Sequence, residues 1–515
     1  MNTALAVGSG LLLTGSFPTA GMDGLAWLAL VPLLLATASL GPRASFRLGL
    51  MAGIVHFLTL LYWLAYTMRT YGYLPWYLCI PILFLLTVVL AQFVGVFSLA
   101  VSWLGTQPGR ALIMIPVLWV ALEYIRSFFL SGFPWELIGY SQFKRLHVIQ
   151  ISDILGVYGV SFIIVLANTA IWGVVLHATR CDFQGKAVTR RLAAGSVIAF
   201  AVVFGGNCIY GARQIKAVDA RAAASPTAQV AVVQGNIDQA VKWDPAFQVA
   251  TVNTYNRLSL VAQGHTPALV VWPESATPFY LLYEPLPTEM VMRQIRTVGA
   301  DFLIGSPSFA RRSDGVDYYN SAYLIGADGK VINKYDKAHL VPYGEYTPFK
   351  KWLPFIGKMV EHVGDFQPGP RGRTLPWKDK RLGIQICYEI IFPDLARAQA
   401  RNDANLLINI TNDAWYGRTS APYQHFSMTV FRAIENRRAL ARSANTGISG
   451  FIDPVGRIIA ATPIFEEAVV MRTLPLMAAK SFYTQVGDLF ARLCLTVSLL
   501  VVFSKAVRLA PRRAR

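Results

Sequence analysis

The sequence has few charged residues for its length. Only 15% of its 515 residues are Asp, Glu, Lys or Arg, whereas a soluble globular protein usually has about 25%. Acidic residues are the scarcer sign, with 29 against 47 basic ones, which gives a formal net charge of +18. The mean hydropathy is +0.42. This composition argues against a wholly soluble protein and predicts an integral membrane protein with a polar part attached.

Cysteine is also scarce, with five in the chain. Cys79, Cys181, Cys208 and Cys494 lie in or beside apolar segments, so Cys387 is the only cysteine of the polar part. That part therefore cannot contain an internal disulfide. No CxxC motif and no Cys/His cluster occurs, so no zinc or other metal site, and no cofactor, is expected.

Long apolar segments fill the first two hundred residues. Several of them reach the roughly 20 residues that a helix needs to cross the hydrocarbon core. We predict seven spans at Ala4–Thr19, Leu25–Leu40, Leu48–Met68, Leu74–Leu104, Ala111–Phe129, Ile154–Ala178 and Leu192–Tyr210, and an eighth at Val486–Val507. The predicted domains are a membrane domain over residues 1–215, a catalytic domain over 226–480, and a C-terminal helix with a basic tail over 481–515.

The basic excess accompanies the membrane segments. Residues 227–480 contain 27 basic and 22 acidic residues, whereas the remainder contains 20 and 7. With the N-terminus in the cytoplasm, the loops and tail carry 12 Lys and Arg on the cytoplasmic side and four outside. Cytoplasmic loops are enriched in basic residues, so this predicts a multi-pass inner-membrane protein with its polar domain in the periplasm. No basic stripe is interleaved with aromatics, so nucleic acid is not an expected partner.

From about residue 228 the pattern changes to alternating strands and helices. Strands are predicted at Gln229–Val233, Leu269–Trp272, Phe302–Gly305, Ala322–Ile325, Leu382–Ile386 and Leu406–Ile410. Helices are predicted at Asp244–Gly264, Pro287–Val298 and Gln424–Arg442. Strand runs separated by helices indicate a layered α/β domain.

Three chemically reactive side chains follow or lie near the ends of predicted strands. Glu274 comes directly after a strand, Lys337 lies in a stretch rich in aromatic residues, and Cys387 ends the strand Leu382–Ile386. Each has an ordinary alternative when considered alone: a solvated carboxylate, a surface lysine and a packed core cysteine. Together they supply a base, a cation and a nucleophile.

These three residues are sufficient for covalent catalysis. A cysteine reacts as the thiolate and therefore needs a base or a nearby cation. Glu274 can take the thiol proton, and Lys337, aided by the backbone N–H of Tyr388, can stabilise the thiolate and an oxyanion. His339 and His425 remain candidates for a Cys/His pair, although neither has a distinctive sequence context.

The motifs around these residues resemble a known superfamily. Glu274 lies in WPES, Lys337 in YDKAHLVPYGEY and Cys387 in ICYEI, and this combination is similar to the nitrilase (carbon–nitrogen hydrolase) superfamily. The fusion to a multispan region and to a final apolar segment resembles the apolipoprotein N-acyltransferase family. Further agreement lies in QGNI with Lys242-Trp243, in YNS, TNDAWYG and SGFPW, and in Arg437-Arg438.

This resemblance implies an αββα sandwich in the periplasm, joined to the polytopic helical domain. It also implies transfer of a fatty acyl group from a phospholipid to the α-amino group of an S-diacylglyceryl-cysteine at the N-terminus of an apolipoprotein. The supporting residues would be Glu345, Tyr388 and Glu389, and Trp243 would contact substrate. Tyr346–Ile356, apolar with a basic pair, would be either a lid that enters the membrane interface or an ordinary packed loop.

Two other functions use the same features. A membrane-tethered amidase could hydrolyse a small amide with the same three residues, but it would have no need of eight spans. The protein could also be a transporter or lipid-binding module in which the soluble domain is a regulator. Against this, the predicted spans lack ionisable residues at their centres.

Overall fold

A computed structural model describes residues 1–104, 107–313, 315–346 and 365–509. The chain divides into two compact units. The first comprises residues 1–65, 75–214 and 486–515, and the second comprises 66–74 and 215–485. The proposed lid at Tyr346–Ile356 lies, apart from its first residue, outside the described residues.

The first unit is helical. Its longer helices are α1 (Asn2–Gly15), α3 (Pro42–Leu60), α5 (Trp76–Leu104), α6 (Pro108–Arg126), α9 (Val157–Thr179), α10 (Arg190–Ala223) and α16 (Leu489–Leu509). Shorter pieces are α2 (Val31–Thr37), α4 (Trp63–Thr70), α7 (Leu146–Ile149) and α8 (Ser152–Leu155). A two-stranded hairpin, β1 (Asp182–Phe183) with β2 (Lys186–Ala187), precedes α10. Both α4 and α10 continue into residues of the second unit.

Five of the described helices are long and apolar enough to cross a membrane: α5, α6, α9, α10 and α16. At 1.5 Å per residue α5 is about 43 Å long, more than the ~30 Å hydrocarbon core requires. Helices α3 and α4 form a pair bent by 50° that counts as a sixth span if it is taken as one. The first two predicted segments form helices of 14 and 7 residues, so the expected total of eight spans is not confirmed.

The second unit contains two six-stranded sheets. The first has the order β14 (Ala468–Pro475), β3 (Thr227–Gln234), β4 (Leu269–Val271), β5 (Asp301–Arg312), β6 (Gly315–Ile325) and β7 (Val331–Asp336). The second has the order β13 (Ile458–Ala461), β12 (Gly450–Ile452), β11 (Ala439–Ala444), β10 (Leu406–Thr411), β9 (Lys380–Ile386) and β8 (Thr374–Trp377). Strands β3, β4 and β5 run parallel, as do β9, β10 and β11.

The two sheets pack face to face, with helices on their outer faces. One core joins Val230 and Leu269 of the first sheet to Ile384 and Ile408 of the second. A second core joins the other face of the first sheet to α11 (Gln248–Gln263) and α12 (Pro285–Val298). Helices α13 (Pro393–Arg401) and α14 (Ala421–Asn436) pack on the second sheet, and α15 (Phe482–Val486) follows β14. This is the expected αββα arrangement.

The burial pattern explains the layers. Strand β10 is buried at all six positions, and four of its six residues are Leu or Ile, which is typical of a strand covered on both faces. One predicted element is wrong in part. The helix expected over Gln424–Arg442 ends at Asn436, because Arg437 adopts a left-handed conformation with φ of 51°. Residues 439–444 then pair in parallel with β10 as β11.

Candidate active site

Glu274, Lys337 and Cys387 all lie just beyond strand ends of the second unit. Glu274 comes three residues after β4, Lys337 directly follows β7, and Cys387 directly follows β9. The first two strands belong to one sheet and the third to the other. Because the sheets pack face to face, their strand ends can bring side chains from both sheets to one place. The exposed fractions of the three residues are 6%, 1% and 7%.

Cys387 occupies a sharp turn between β9 and a short 3₁₀ helix over Cys387–Ile391. Its φ of 53° is in the left-handed region, which non-glycine residues rarely adopt. Such strain costs about 1–3 kcal/mol and is found where the surrounding structure holds a functional side chain in place. The turn ends the strand, and Cys387 lies at the end of β9 as part of the core between the two sheets.

The Glu389 carboxylate holds this turn together. One oxygen accepts the N–H of Ile386 at 2.7 Å, and the other accepts those of Ala338 at 2.6 Å and His339 at 3.0 Å. The Tyr335 hydroxyl donates to the same carboxylate at 3.0 Å. Burial raises the pKa of Glu389 to about 7, although the three backbone N–H donors and the charge of Lys337 act to lower it. The carboxylate thus joins the cysteine turn to the segment that carries Lys337.

Glu274 is fixed through both of its carboxylate oxygens. Oε1 accepts from Asn320 Nδ2 at 2.8 Å and lies 3.5 Å from Lys337 Nζ, while Oε2 accepts the backbone N–H of Asn412 at 2.9 Å. Gly305 on β5 makes room for this turn. A Cβ atom there would lie 2.3 Å from the Pro273 carbonyl oxygen and 2.7 Å from Glu274 Cα.

Lys337 lies between two carboxylates. Its Nζ donates to Glu345 Oε1 at 2.8 Å as well as approaching Glu274. Asn320 Nδ2 also donates to Glu345 Oε1, at 2.8 Å, so this one amide bridges the two glutamates. Burial acts to lower the pKa of Lys337, but Glu345 and Glu274 outweigh it and raise that pKa well above its usual value. At neutral pH the lysine is therefore a permanent cation and cannot act as a base.

Cys387 is a neutral thiol at neutral pH. Burial is the largest cause of its raised pKa, the charge of Glu274 adds to it, and Lys337 opposes both. A buried thiol beside a carboxylate keeps its proton until a substrate arrives. This arrangement can perform acyl transfer in which the thiol proton leaves in the same step as nucleophilic attack.

Neither candidate histidine is suited to be the partner of the thiol. Burial lowers the pKa of His339 to about 4, and its ring packs 3.9 Å from that of Phe392. His425 is fully buried, and its Nδ1 lies 3.0 Å from both Asp413 Oδ1 and Arg442 Nη2. Burial and Arg442 lower the pKa of His425. Both imidazoles are neutral at pH 7, so the Cys/His alternative loses the imidazolium that it requires.

Two regions of the chain match known protein domains. Residues 9–170 match the apolipoprotein N-acyltransferase N-terminal domain, and residues 229–483 match the carbon–nitrogen hydrolase domain. The apolipoprotein N-acyltransferase of Geobacter metallireducens is 44% identical over 499 residues, covering 96% of this chain and 94% of the relative.

The chain belongs to the apolipoprotein N-acyltransferase family. The family member from Chlorobaculum tepidum is 32% identical, covering 97% of this chain and 96% of its own. Among solved structures, Nit3 of Saccharomyces cerevisiae, a member of branch 10 of the nitrilase superfamily, aligns with a TM-score of 0.39 at 21% identity. That alignment covers 51% of this chain and 94% of Nit3.

Tyr388 and Trp243 are the other two site residues that the family resemblance implied. Tyr388 follows the cysteine and is 8% exposed. Its ring centroid lies 5.1 Å from that of Phe392, and the two rings pack edge to face. Trp243 is half-buried and follows the fully buried Lys242. No group of three His, Cys, Asp or Glu side chains able to hold a metal ion occurs within the described ranges.

Sequence reasoning missed the role of several neighbours in this family member's site. Asn320 bridges Glu274 and Glu345, Asn412 binds Glu274 through its backbone N–H, and Tyr335 donates to Glu389. The sequence offers no periodic signal for them, because Asn320 and Tyr335 lie inside strands and a backbone donor is independent of residue type. Six of the seven predicted site residues form one continuous group with these neighbours: Glu274, Lys337, Glu345, Cys387, Tyr388 and Glu389.

Proposed function

We propose that this protein transfers a fatty acyl group from a phospholipid, through a thioester on Cys387, to the α-amino group of a diacylglyceryl-cysteine on an apolipoprotein. The observation that carries the proposal is the placing of one thiol beside one buried carboxylate and one buried cation. Lys337 Nζ lies 3.5 Å from Glu274 Oε1. The charge of Glu274 raises the pKa of Cys387, and that of Lys337 lowers it. The family to which the chain belongs supports an apolipoprotein as the acceptor, and the phospholipid donor is part of the proposal.

The first half-reaction forms the acyl-enzyme. Cys387 Sγ attacks the carbonyl carbon of the acyl ester while Glu274 takes the thiol proton. Lys337 and backbone N–H groups of the cysteine turn stabilise the oxyanion of the tetrahedral intermediate. The C–O bond of the ester then breaks, and Glu274 returns the proton to the departing alkoxide. The products are a thioester and a lysophospholipid.

The second half-reaction forms the amide. The neutral α-amine of the acceptor attacks the thioester carbonyl, Glu274 takes a proton from the nitrogen, and the C–S bond breaks. That proton then returns to the Cys387 thiolate and restores the resting thiol. One base serves both half-reactions, because Glu274 gives up its proton at the end of each and can accept the next one. Glu345 and Asn320 hold Lys337 and Glu274 in place, and Glu389 holds the cysteine turn.

The competing function is hydrolysis of a small amide by the same three residues. It would replace the amine of the second step by water. The match of residues 9–170 to the N-terminal domain of the acyltransferase family favours the lipid substrate, since a soluble amide requires no such domain.

The function is tested by separating the half-reactions. Purified protein incubated with phospholipid alone is expected to release lysophospholipid in an amount equal to the enzyme, and the intact mass of the protein should rise by one acyl group. Addition of a diacylglyceryl-cysteine peptide with a free N-terminus should discharge the acyl group into an amide.

The control is the same peptide with an acetylated N-terminus, which cannot attack and should leave the acyl-enzyme intact. Continuous release of free fatty acid from phospholipid without any peptide, at a rate comparable to that with peptide, would make the protein a hydrolase and refute the acyltransferase.

We also propose that the second unit is periplasmic and the protein is anchored in the bacterial inner membrane. The 12-to-4 excess of basic residues on one side of the predicted spans supports this orientation. The proposed substrates support the membrane anchor, since both are lipids of the bilayer.

The orientation predicts which side is accessible to reagents. Asp379 is in the turn between β8 and β9 and its side chain is 78% exposed, so Asp379→Cys in a Cys181→Ala background should react with a membrane-impermeant maleimide in intact spheroplasts. Arg43→Cys, in a predicted cytoplasmic loop, should react only after lysis. The opposite pattern would invert the topology.

A further inference from the structure

The catalytic group contains a second lysine with no assigned role. Lys242 is 0% exposed, and its Nζ donates to the backbone carbonyl oxygen of Glu274 at 3.1 Å. Within the described ranges no carboxylate oxygen lies within 4 Å of this Nζ. Lys337, by comparison, has two carboxylates in range. A fully buried lysine without a paired carboxylate is rare, because removing an ammonium from water costs several kcal/mol.

The loop that carries Lys242 is held firmly against the site. The N–H of Asn236 donates to the Asn445 carbonyl oxygen at 2.9 Å, and that of Ile237 donates to Asn445 Oδ1 at 2.9 Å. Asn412 Nδ2 donates to Gln239 Oε1 at 2.6 Å. Since the backbone N–H of Asn412 also binds Glu274, the loop and the catalytic carboxylate share a partner. Lys242 is therefore held in this position by its loop.

Two charges act on Lys242, those of the Glu274 carboxylate and the Cys387 thiolate. Burial lowers its pKa to about 8, while Glu274 and Cys387 act to raise it. At pH 7 the side chain therefore still carries a positive charge for most of the time. The interaction is mutual, so a cation that is stabilised by a thiolate also stabilises that thiolate.

We propose that Lys242 is a positioning residue of the acyl-transfer reaction, which fixes the Glu274 backbone through its carbonyl oxygen and whose positive charge stabilises the Cys387 thiolate. This rests on the proposed function for its place in the reaction. Lys337 remains the group that approaches Glu274 and is held by Glu345, whereas Lys242 acts from the backbone side of Glu274. When Glu274 takes the thiol proton, the negative charge moves from its carboxylate to the Cys387 sulfur, and the two lysines stabilise the charge there.

The test measures the thiol directly and needs no lipid. Iodoacetamide reacts with the thiolate, so the rate at which Cys387 is alkylated at a fixed pH, followed by mass spectrometry of its peptide, reports the thiolate fraction. Removal of a cation that stabilises the thiolate raises the pKa of the thiol. Lys242→Met, similar in length but uncharged and unable to donate, is expected to slow alkylation about tenfold, since one pKa unit is a factor of ten in thiolate.

Lys242→Gln separates the charge from the hydrogen bond, because it can still donate to a carbonyl oxygen. It is expected to slow alkylation as much as Lys242→Met does. The matched control is Lys334→Met, which removes a lysine paired with Asp336 at 2.9 Å on β7 and should leave the alkylation rate unchanged. Circular dichroism and unfolding temperature are measured for every variant.

Each result decides the proposal. Slow alkylation in both variants with an unchanged unfolding temperature supports it. Slow alkylation in Lys242→Met alone would refute the electrostatic role, and a normal rate in both would refute the proposal entirely. If Lys242→Met does not fold, Lys242→Gln alone decides between these outcomes, and if neither folds, a purely structural lysine replaces the proposal. Lysophospholipid release by the wild-type protein is measured in parallel, and its failure would refute the acyl-transfer function while leaving the alkylation ratio valid.

Discussion

Cys387→Ala is expected to eliminate the acyl-enzyme. No other cysteine of the chain lies in the carbon–nitrogen hydrolase region, so no thiol can substitute for it. Loss of the nucleophile from a group that acts as a unit typically costs at least about 10³-fold in turnover. Lysophospholipid release should fall by that factor or more, and the intact mass should show no acyl adduct after incubation with phospholipid.

Cys387→Ser tests whether a hydroxyl can replace the thiol at the same turn. Serine preserves the size and can occupy the left-handed turn, but its hydroxyl is far harder to ionise beside a carboxylate. We expect loss of the adduct here as well. Cys181→Ala, at an exposed cysteine of the other unit, is the control and should retain full activity. Near-normal turnover in Cys387→Ala would exclude covalent catalysis at this residue.

The sequence was informative where apolar runs end at reactive residues. The run Leu382–Ile386 ends at a cysteine and Leu269–Trp272 ends just before a glutamate, and the structure has strand ends there. Such runs predict position because a strand buried on both faces must be apolar until it leaves the sheet. The same reasoning predicted no strand at β7 or β14 of the first sheet, because both strands are partly exposed and their patterns of apolar and polar residues are mixed.

The remaining site residues could not be predicted from pattern. Glu274 depends on Asn320 from inside β6 and on a backbone N–H from the residue after β10. These groups meet only because two sheets pack face to face. Contacts between residues so far apart in the sequence cannot be read from any short stretch of it. Arg437 shows the same limit for secondary structure. Helix α14 ends at Asn436 although the residues after it could continue a helix. They form β11 instead, because they pair in parallel with β10.

Glu274→Gln is expected to separate the reactivity of the thiol from acyl transfer. Glu274 raises the pKa of Cys387, so removal of its charge lowers that pKa and increases the thiolate fraction at any pH below it. Alkylation of Cys387 by iodoacetamide should therefore be as fast as in the wild type or faster. This direction is opposite to the one expected when the charge of Lys242 is removed.

Acylation by a phospholipid should change in the other direction. An ester needs a proton delivered to its departing alkoxide, and a neutral amide can neither take the thiol proton nor return it. Loss of a general acid–base group costs about 10²–10⁴-fold, so single-turnover release of lysophospholipid should fall by that factor. Glu289→Gln, at an exposed glutamate paired with Arg296, is the control and should change neither rate.

The two measurements exclude a merely structural effect. A distorted site would slow alkylation and acylation together, because both need the Cys387 thiol in its native position. A missing base slows acylation alone, because iodoacetamide reacts with the thiolate and its iodide leaves without a proton. Acylation that survives in Glu274→Gln at the full rate would remove this carboxylate from the mechanism. Because Lys337 stays charged between Glu345 and residue 274, it could not replace the lost base, and the thiol would have to transfer its proton to water instead.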